Sequence, residues 1–142
     1  TAPTQMNETT APASKQIRRR RALVVDDEPE IAMTLSEILG RRGYQSVIAS
    51  NGREARDRLD EGPCDLILCD IRMPDTDGPA FYRWLEQTRP ELTERIVFVT
   101  GDTLGPAAGR FLAQSGAPVV EKPFTPSDIW RVVASLEAAT AS

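Results

Sequence analysis

Five polar side chains in this sequence are of types that could do chemistry together. They are the carboxylates of Asp26, Asp27 and Asp70, the hydroxyl of Thr100 and the ammonium of Lys122, with Glu28 following the first two. Crowded acids repel one another, but they suit a hard, oxygen-seeking cation, and Mg²⁺ typically takes one or two carboxylates, waters and a phosphate. A divalent metal is therefore expected. Beside it, Asp70 could attack phosphorus as a nucleophile to form an aspartyl phosphate, with Lys122 neutralising the phosphoryl oxygens and Thr100 donating a hydrogen bond to one of them. Each residue also has a blander reading. Two acids after a strand are favoured at a helix N-terminus by the helix dipole, and a lone Thr or Lys at a strand end is commonly structural or solvated. The chemical reading gains its weight from the group taken jointly, because steps of 44, 30 and 22 residues separate Asp26, Asp70, Thr100 and Lys122. Only a fold that gathers strand ends brings them together.

The elements needed to do so are legible. From residue 22 the apolar pattern switches five times between short runs and helical spacing, the signature of strands and crossover helices around a parallel sheet. Strands are predicted at Ala22–Val25, Gln45–Ala49, Leu66–Cys69, Arg95–Val99 and Pro118–Glu121. The first helix carries Ile31, Leu35, Ile38 and Leu39 and ends near Arg41, Arg42 and Gly43; Asn51 or Ser50 caps the second. Pro79 sits just inside a third with Phe81, Trp84 and Leu85 on one face. Pro106 opens a fourth with Ala108, Phe111 and Leu112. Thr125 or Ser127 starts the last, which carries Ile129, Val132, Val133 and Leu136. The predicted fold is an α/β, doubly wound, flavodoxin-like sheet of five parallel strands in order 2-1-3-4-5 with five helices. In such sheets the functional crevice lies outside the carboxyl ends of the strands, where all the residues above fall.

Composition narrows the chemistry further. The 142 residues suffice for one domain, expected over 22–140, and no apolar run approaches the ~20 residues of a membrane-spanning helix, so direct membrane insertion is not expected. There is no histidine, which removes Ser-His-Asp and Cys-His relays, histidine-ligated metals and a phosphohistidine of its own. Two cysteines, Cys64 and Cys69, cannot fill a tetrahedral zinc site without histidine, and a reducing cytoplasm fits them best. Residues 1–21 are rich in Thr, Ala, Pro, Ser and Gln and are expected to form a disordered linker. Five basic residues against one acidic give that stretch +4, and the remaining 12 basic and 20 acidic residues give the rest −8. So acidic a body argues against general nucleic-acid binding.

The stretch from Ala22 to about Ala139 resembles the receiver domain of two-component response regulators, through LVVDDEP, DLILCDIRMPDTDG, VFVTGD and VVEKPF in order. The loop of Asp70, Met73, Pro74 and Gly78 and the run Lys122-Pro123-Phe124 are the most specific parts. The resemblance implies that Asp70 is the phosphoacceptor, Asp27 a direct Mg²⁺ ligand, Asp26 a ligand mainly through water and the Arg72 carbonyl a further ligand. It implies that Thr100 is the switch hydroxyl, that Lys122 binds the phosphate, and that the Lys122–Pro123 bond is cis. Arg72 and Asp102 occupy positions that tune phosphoryl lifetime in the family. The donor it implies is a histidine kinase or a histidine phosphotransfer domain, and the domain is a signalling phosphoacceptor rather than an enzyme. One departure stands out. Three residues before Lys122, where many receivers carry Tyr or Phe, this chain has Val119.

Two other classes compete. Thr100-Gly101-Asp102 also occurs in haloacid-dehalogenase-type phosphohydrolases, but Asp26-Asp27-Glu28-Pro29-Glu30 does not supply that class's D-x-D-x-T/V nucleophile loop. A non-phosphorylated interaction module predicts a broken site, and here every member is present. A linker before the domain, a Thr start and the TGDT and PVVEKPF segments lead us to expect the C-terminal receiver of a hybrid histidine kinase, with a free single-domain regulator as the alternative. The sequence leaves a weak homodimer open.

Overall fold

The computed structural model describes residues 20–72, 77–101 and 105–141. Met73, Pro74 and Asp102, like residues 1–19 of the expected linker, lie outside the described residues. Five strands, β1 (Arg20–Val25), β2 (Tyr44–Ala49), β3 (Leu66–Cys69), β4 (Ile96–Thr100) and β5 (Val119–Glu121), form one parallel sheet in the order β2-β1-β3-β4-β5. Five helices connect and follow them: α1 (Pro29–Gly40), α2 (Gly52–Asp60), α3 (Gly78–Thr88), α4 (Pro106–Ser115) and α5 (Pro126–Ala141). None of the described helices is long and apolar enough to cross a membrane.

β3, β4 and β1 from Ala22 onward are apolar at nearly every position because both faces are covered. Leu23, Val25, Ile67, Cys69, Ile96 and Phe98 point to the side of α2, α3 and α4, and Ala22, Val24, Leu66, Leu68, Val97 and Val99 to the side of α1 and α5. Cys69 is fully buried, the small core residue its type suggests.

Element ends differ from the sequence reading where polar contacts set them. β1 starts at Arg20 rather than Ala22. The Arg21 N–H donates to Asp65 Oδ2 at 2.9 Å, and its guanidinium donates to the carbonyls of Arg58 (3.1 Å), Gly62 (3.1 Å) and Pro63 (3.2 Å) at the end of α2. Arg20 pairs with Glu137 of α5 and lies over the Tyr44 ring. Two of the four consecutive arginines are thus docked in the domain. Tyr44 begins β2 one residue early, buried with its hydroxyl donating to Glu137 at 2.7 Å. The α2 cap is Asn51, whose side chain accepts from the Glu54 N–H while Glu54 Oε1 accepts from the Ser50 N–H, each at 2.9 Å. Thr125 and Asp128 make the corresponding reciprocal pair at the start of α5. A 3₁₀ turn over Pro90–Glu94, not predicted, buries Leu92 between α3 and β4.

Candidate functional site

The backbone ladder runs one residue beyond the apolar strands, and that extension aims the polar residues. Asp26 N–H donates to the Ala49 carbonyl (3.0 Å), Asp70 N–H to the Val25 carbonyl (2.9 Å) and Lys122 N–H to the Thr100 carbonyl (3.0 Å). Asp26, Asp70, Thr100 and Lys122 therefore stand at one sheet edge. One carboxylate oxygen each from Asp26, Asp27 and Asp70 lies within 4.8 Å of the others; Asp26 and Asp70 are buried and Asp27 is exposed. Two buried acids beside a third form a donor set of hard oxygens, which fits a small divalent cation.

Lys122 binds this cluster together. Its ammonium donates to Asp26 Oδ2 (3.0 Å), Glu28 Oε1 (3.1 Å) and Asp70 Oδ2 (3.1 Å). Burial alone would lower its pKa, but the hydrogen bonds to Asp26 and Glu28 and the charge of Asp70 outweigh that and hold it above the ordinary lysine value. Burial raises the Asp26 pKa, opposed by bonds from the Glu28 N–H and from Lys122. The same Glu28 N–H, donating to Asp26 Oδ1 at 2.9 Å, fixes the Asp26 carboxylate. Asp70 is oriented from the other side, since Arg72 N–H donates to its Oδ1 at 3.3 Å. The Lys122–Pro123 peptide is cis, as expected.

Gly78 closes the loop after β3. A Cβ there would lie 2.8 Å from Ile71 Cα and 2.9 Å from the Asp70 carbonyl oxygen. Only glycine allows α3 to start this close to the strand carrying Asp70, which explains the glycine of the motif.

Thr100 is 1% exposed and shares a strand face with Phe98, two residues earlier. Phe98 meets Phe111 of α4 edge-on at 5.2 Å between ring centroids, and Tyr82 of α3 meets Phe111 at 5.6 Å. Val119 pairs with Phe98 across the sheet and packs half-buried against this group. Aromatic bulk absent from β5 is thus supplied by Phe98 of β4 itself, Tyr82 of α3 and Phe111 of α4. The sequence reading singled out Phe111 but not Tyr82, whose place in the helical stripe beside Phe81 gave it no separate signal. Glu28 carries no role in the sequence reading beyond its place after β1, and its contact with Lys122, 94 residues away, has no sequence signature.

Comparison with known proteins agrees with this geometry. Residues 22–134 match the family model described as the response regulator receiver domain. The chain is 33% identical over 110 residues to the response regulator receiver protein CpdR of Brucella abortus, covering 78% of this chain and 90% of that one. It is 36% identical over 104 residues to the sensor histidine kinase RcsC of Escherichia coli, covering 72% of this chain and 11% of that one. A match to the response regulator protein PilR of Pseudomonas aeruginosa, at 37% identity, covers 58% of this chain and likewise only 19% of that relative's length. Among solved structures, the signal receiver domain of a signal transduction histidine kinase from Syntrophus aciditrophicus superposes with a TM-score of 0.74 at 32% identity, covering 84% of this chain and 91% of that one. A CheY-like receiver domain protein from Methanospirillum hungatei gives 0.76 at 26% identity, covering 87% and 98%. The chain belongs to the response regulator receiver domain family.

Proposed function

We propose that this domain takes a phosphoryl group from a phosphohistidine of a histidine kinase or histidine phosphotransfer domain onto Asp70, and that Mg²⁺ is required. The observation that carries the reading is the buried Asp70 carboxylate, with the Lys122 ammonium at 3.1 Å and the Asp26 and Asp27 carboxylates close by. An Asp70 oxygen attacks phosphorus, the phosphorus–nitrogen bond of the donor breaks, and the electron pair leaves with the imidazole. Lys122 follows the charge onto the transferred group. Asp27 directly, Asp26 mainly through water, Asp70 and the Arg72 carbonyl are the proposed metal ligands; when bound, Mg²⁺ supplies charge neutralisation at the phosphoryl oxygens. Thr100 is the hydroxyl that answers to the new oxygens. Hydrolysis by water attack on the same phosphorus returns Asp70 to its free state. The free thiols of Cys64 and Cys69 favour a reducing, cytoplasmic setting.

Similarity to the sensor kinases RcsC and CckA, of which the match spans 11% each, favours a receiver attached to a hybrid histidine kinase. The 90% coverage of CpdR favours the second reading, a free single-domain regulator.

Incubation with acetyl phosphate and Mg²⁺, followed by intact-mass measurement, is expected to show one added phosphoryl group. Label that persists in Asp70→Asn, or in excess chelator, would sink the assignment.

A further inference from the structure

We propose that Glu28 is a positioning residue that holds the Lys122 ammonium in the unphosphorylated protein and yields it when a phosphoryl group arrives, so that Glu28 sets how readily the phosphorylated state forms. This inference rests on the reading that Asp70 is the phosphoacceptor. Lysine has three N–H donors and no more. Lys122 spends all three on carboxylates: Asp26, Glu28 and Asp70.

The three partners are not equivalent. Asp26 and Asp70 side chains are 1% and 8% exposed, whereas that of Glu28 is 61% exposed. A phosphoryl group on Asp70 adds roughly −1.5 to −2 of charge and three strong acceptor oxygens. The donor held by Asp70 then passes to a phosphoryl oxygen, and following that oxygen draws Nζ away from its other two acceptors. Breaking the Asp26 contact would take a charge-assisted hydrogen bond from a buried carboxylate, which is costly. Breaking the Glu28 contact returns an exposed carboxylate to water at little cost. Glu28 also gains from leaving, because its charge repels the phosphoryl group. Its backbone stays in place meanwhile, since its N–H remains bound to Asp26 Oδ1. Glu28 therefore competes with the phosphoryl group for one ammonium, and it favours the unphosphorylated state.

The test uses the full chain and beryllofluoride, a phosphoryl mimic, titrated at saturating Mg²⁺ and followed by fluorine NMR. Glu28→Gln keeps the side-chain shape and removes the charge. Glu30→Gln removes the same charge from the neighbouring first turn of α1, where no ion pair with Lys122 exists. Glu28→Gln is expected to bind beryllofluoride roughly 2- to 5-fold tighter than wild type, with Glu30→Gln unchanged. Structural damage lowers affinity, so a gain is not explained by a merely structural role. Glu28→Ala provides a second variant, expected to move in the same direction. Affinity in Glu28→Gln no higher than in Glu30→Gln, or lower than wild type, overturns the proposal while leaving the phosphoacceptor reading intact. Failure of the wild type itself to bind beryllofluoride and to accept label from acetyl phosphate would overturn both.

Discussion

Helices α1 and α4 both leave the sheet edge that carries the acidic site, and they are anchored very differently. α1 follows Asp26 and Glu28, which Lys122 ties to Asp70, and it buries Ala32, Leu35, Ile38 and Leu39. α4 follows Thr100 and starts at Pro106; like α1 it has no side-chain cap, but it buries only Ala108. Phe111 and Leu112 give it partial cover, and Gly109 inside the helix costs roughly 1 kcal/mol relative to alanine. Acidic groups that would bind metal and phosphoryl thus sit on well-packed elements, and the hydroxyl able to answer them leads into a poorly held one. Precise placement needs rigidity, whereas a switch needs an element whose position little energy can bias. The two demands are met on opposite sides of β3.

The largest expected effect comes from disturbing the well-packed side. Gly78→Ala places a methyl group against the backbone of Ile71 and Asp70, neither of which is the far end of a flexible side chain. Something must shift, at a cost of about 1–3 kcal/mol, and the shift moves Asp70 itself. Urea unfolding should show a lower midpoint with an unchanged slope, and acetyl phosphate labelling should fall with it. Gly40→Ala makes the contrast, since nothing lies within 4 Å of a Cβ there; it should be neutral or stabilise the protein by up to about 1 kcal/mol. Equal midpoints for the two variants would mean that the backbone at Gly78 is not tightly packed against Asp70 and Ile71.

The second effect concerns α4. Its amides are expected to exchange hydrogen roughly tenfold faster than those buried in α1, about 1.4 kcal/mol less protection, and beryllofluoride with Mg²⁺ should change protection most across 105–115. The expected route runs along β4 from Thr100 to Phe98, which meets Phe111, so that backbone displacement of α4 would take the place of a ring rotation that Val119 cannot provide. Changes confined to α1 or α5, with 105–115 silent, would break the comparison with which these two helices are set apart.

How much of this was legible follows from how local each feature is. The strand interiors, the strand order and the placing of Asp26, Asp70, Thr100 and Lys122 at one edge rest on apolar runs and fold topology, and both are written in the sequence. Strand ends were harder, because Arg20 and Arg21 extend β1 by virtue of Glu137, Asp65 and the carbonyls closing α2, all distant in sequence. The choice between Ser50 and Asn51 as a cap is settled only by the fold, since either side chain is chemically able and the backbone decides. Glu28 shows the same limit at the site. Its place beside Asp26 and Asp27 is legible, but that Asp26, Glu28 and Asp70 meet the lysine while Asp27 does not depends on side-chain direction.

The smallest effect tests the acidic cluster. Asp27→Asn removes the exposed member of three crowded carboxylates, while Asp26 and Asp70 keep their bonds to Lys122. Without metal, the loss relieves like-charge repulsion, and because Asp27 is solvent-exposed the gain is screened to a few tenths of a kcal/mol at most. Thermal melts in chelator should therefore place the mutant level with wild type or slightly above it. With Mg²⁺ the order reverses if Asp27 is a ligand, since stabilisation by a bound ion grows with the ratio of its concentration to the dissociation constant. A mutant clearly less stable than wild type in chelator would contradict the crowding argument and indicate that Asp27 holds α1 in place. Equal Mg²⁺-induced shifts in the two proteins would remove Asp27 from the ligand set and leave the cation to the buried pair, Asp26 and Asp70, on the rigid side of the domain.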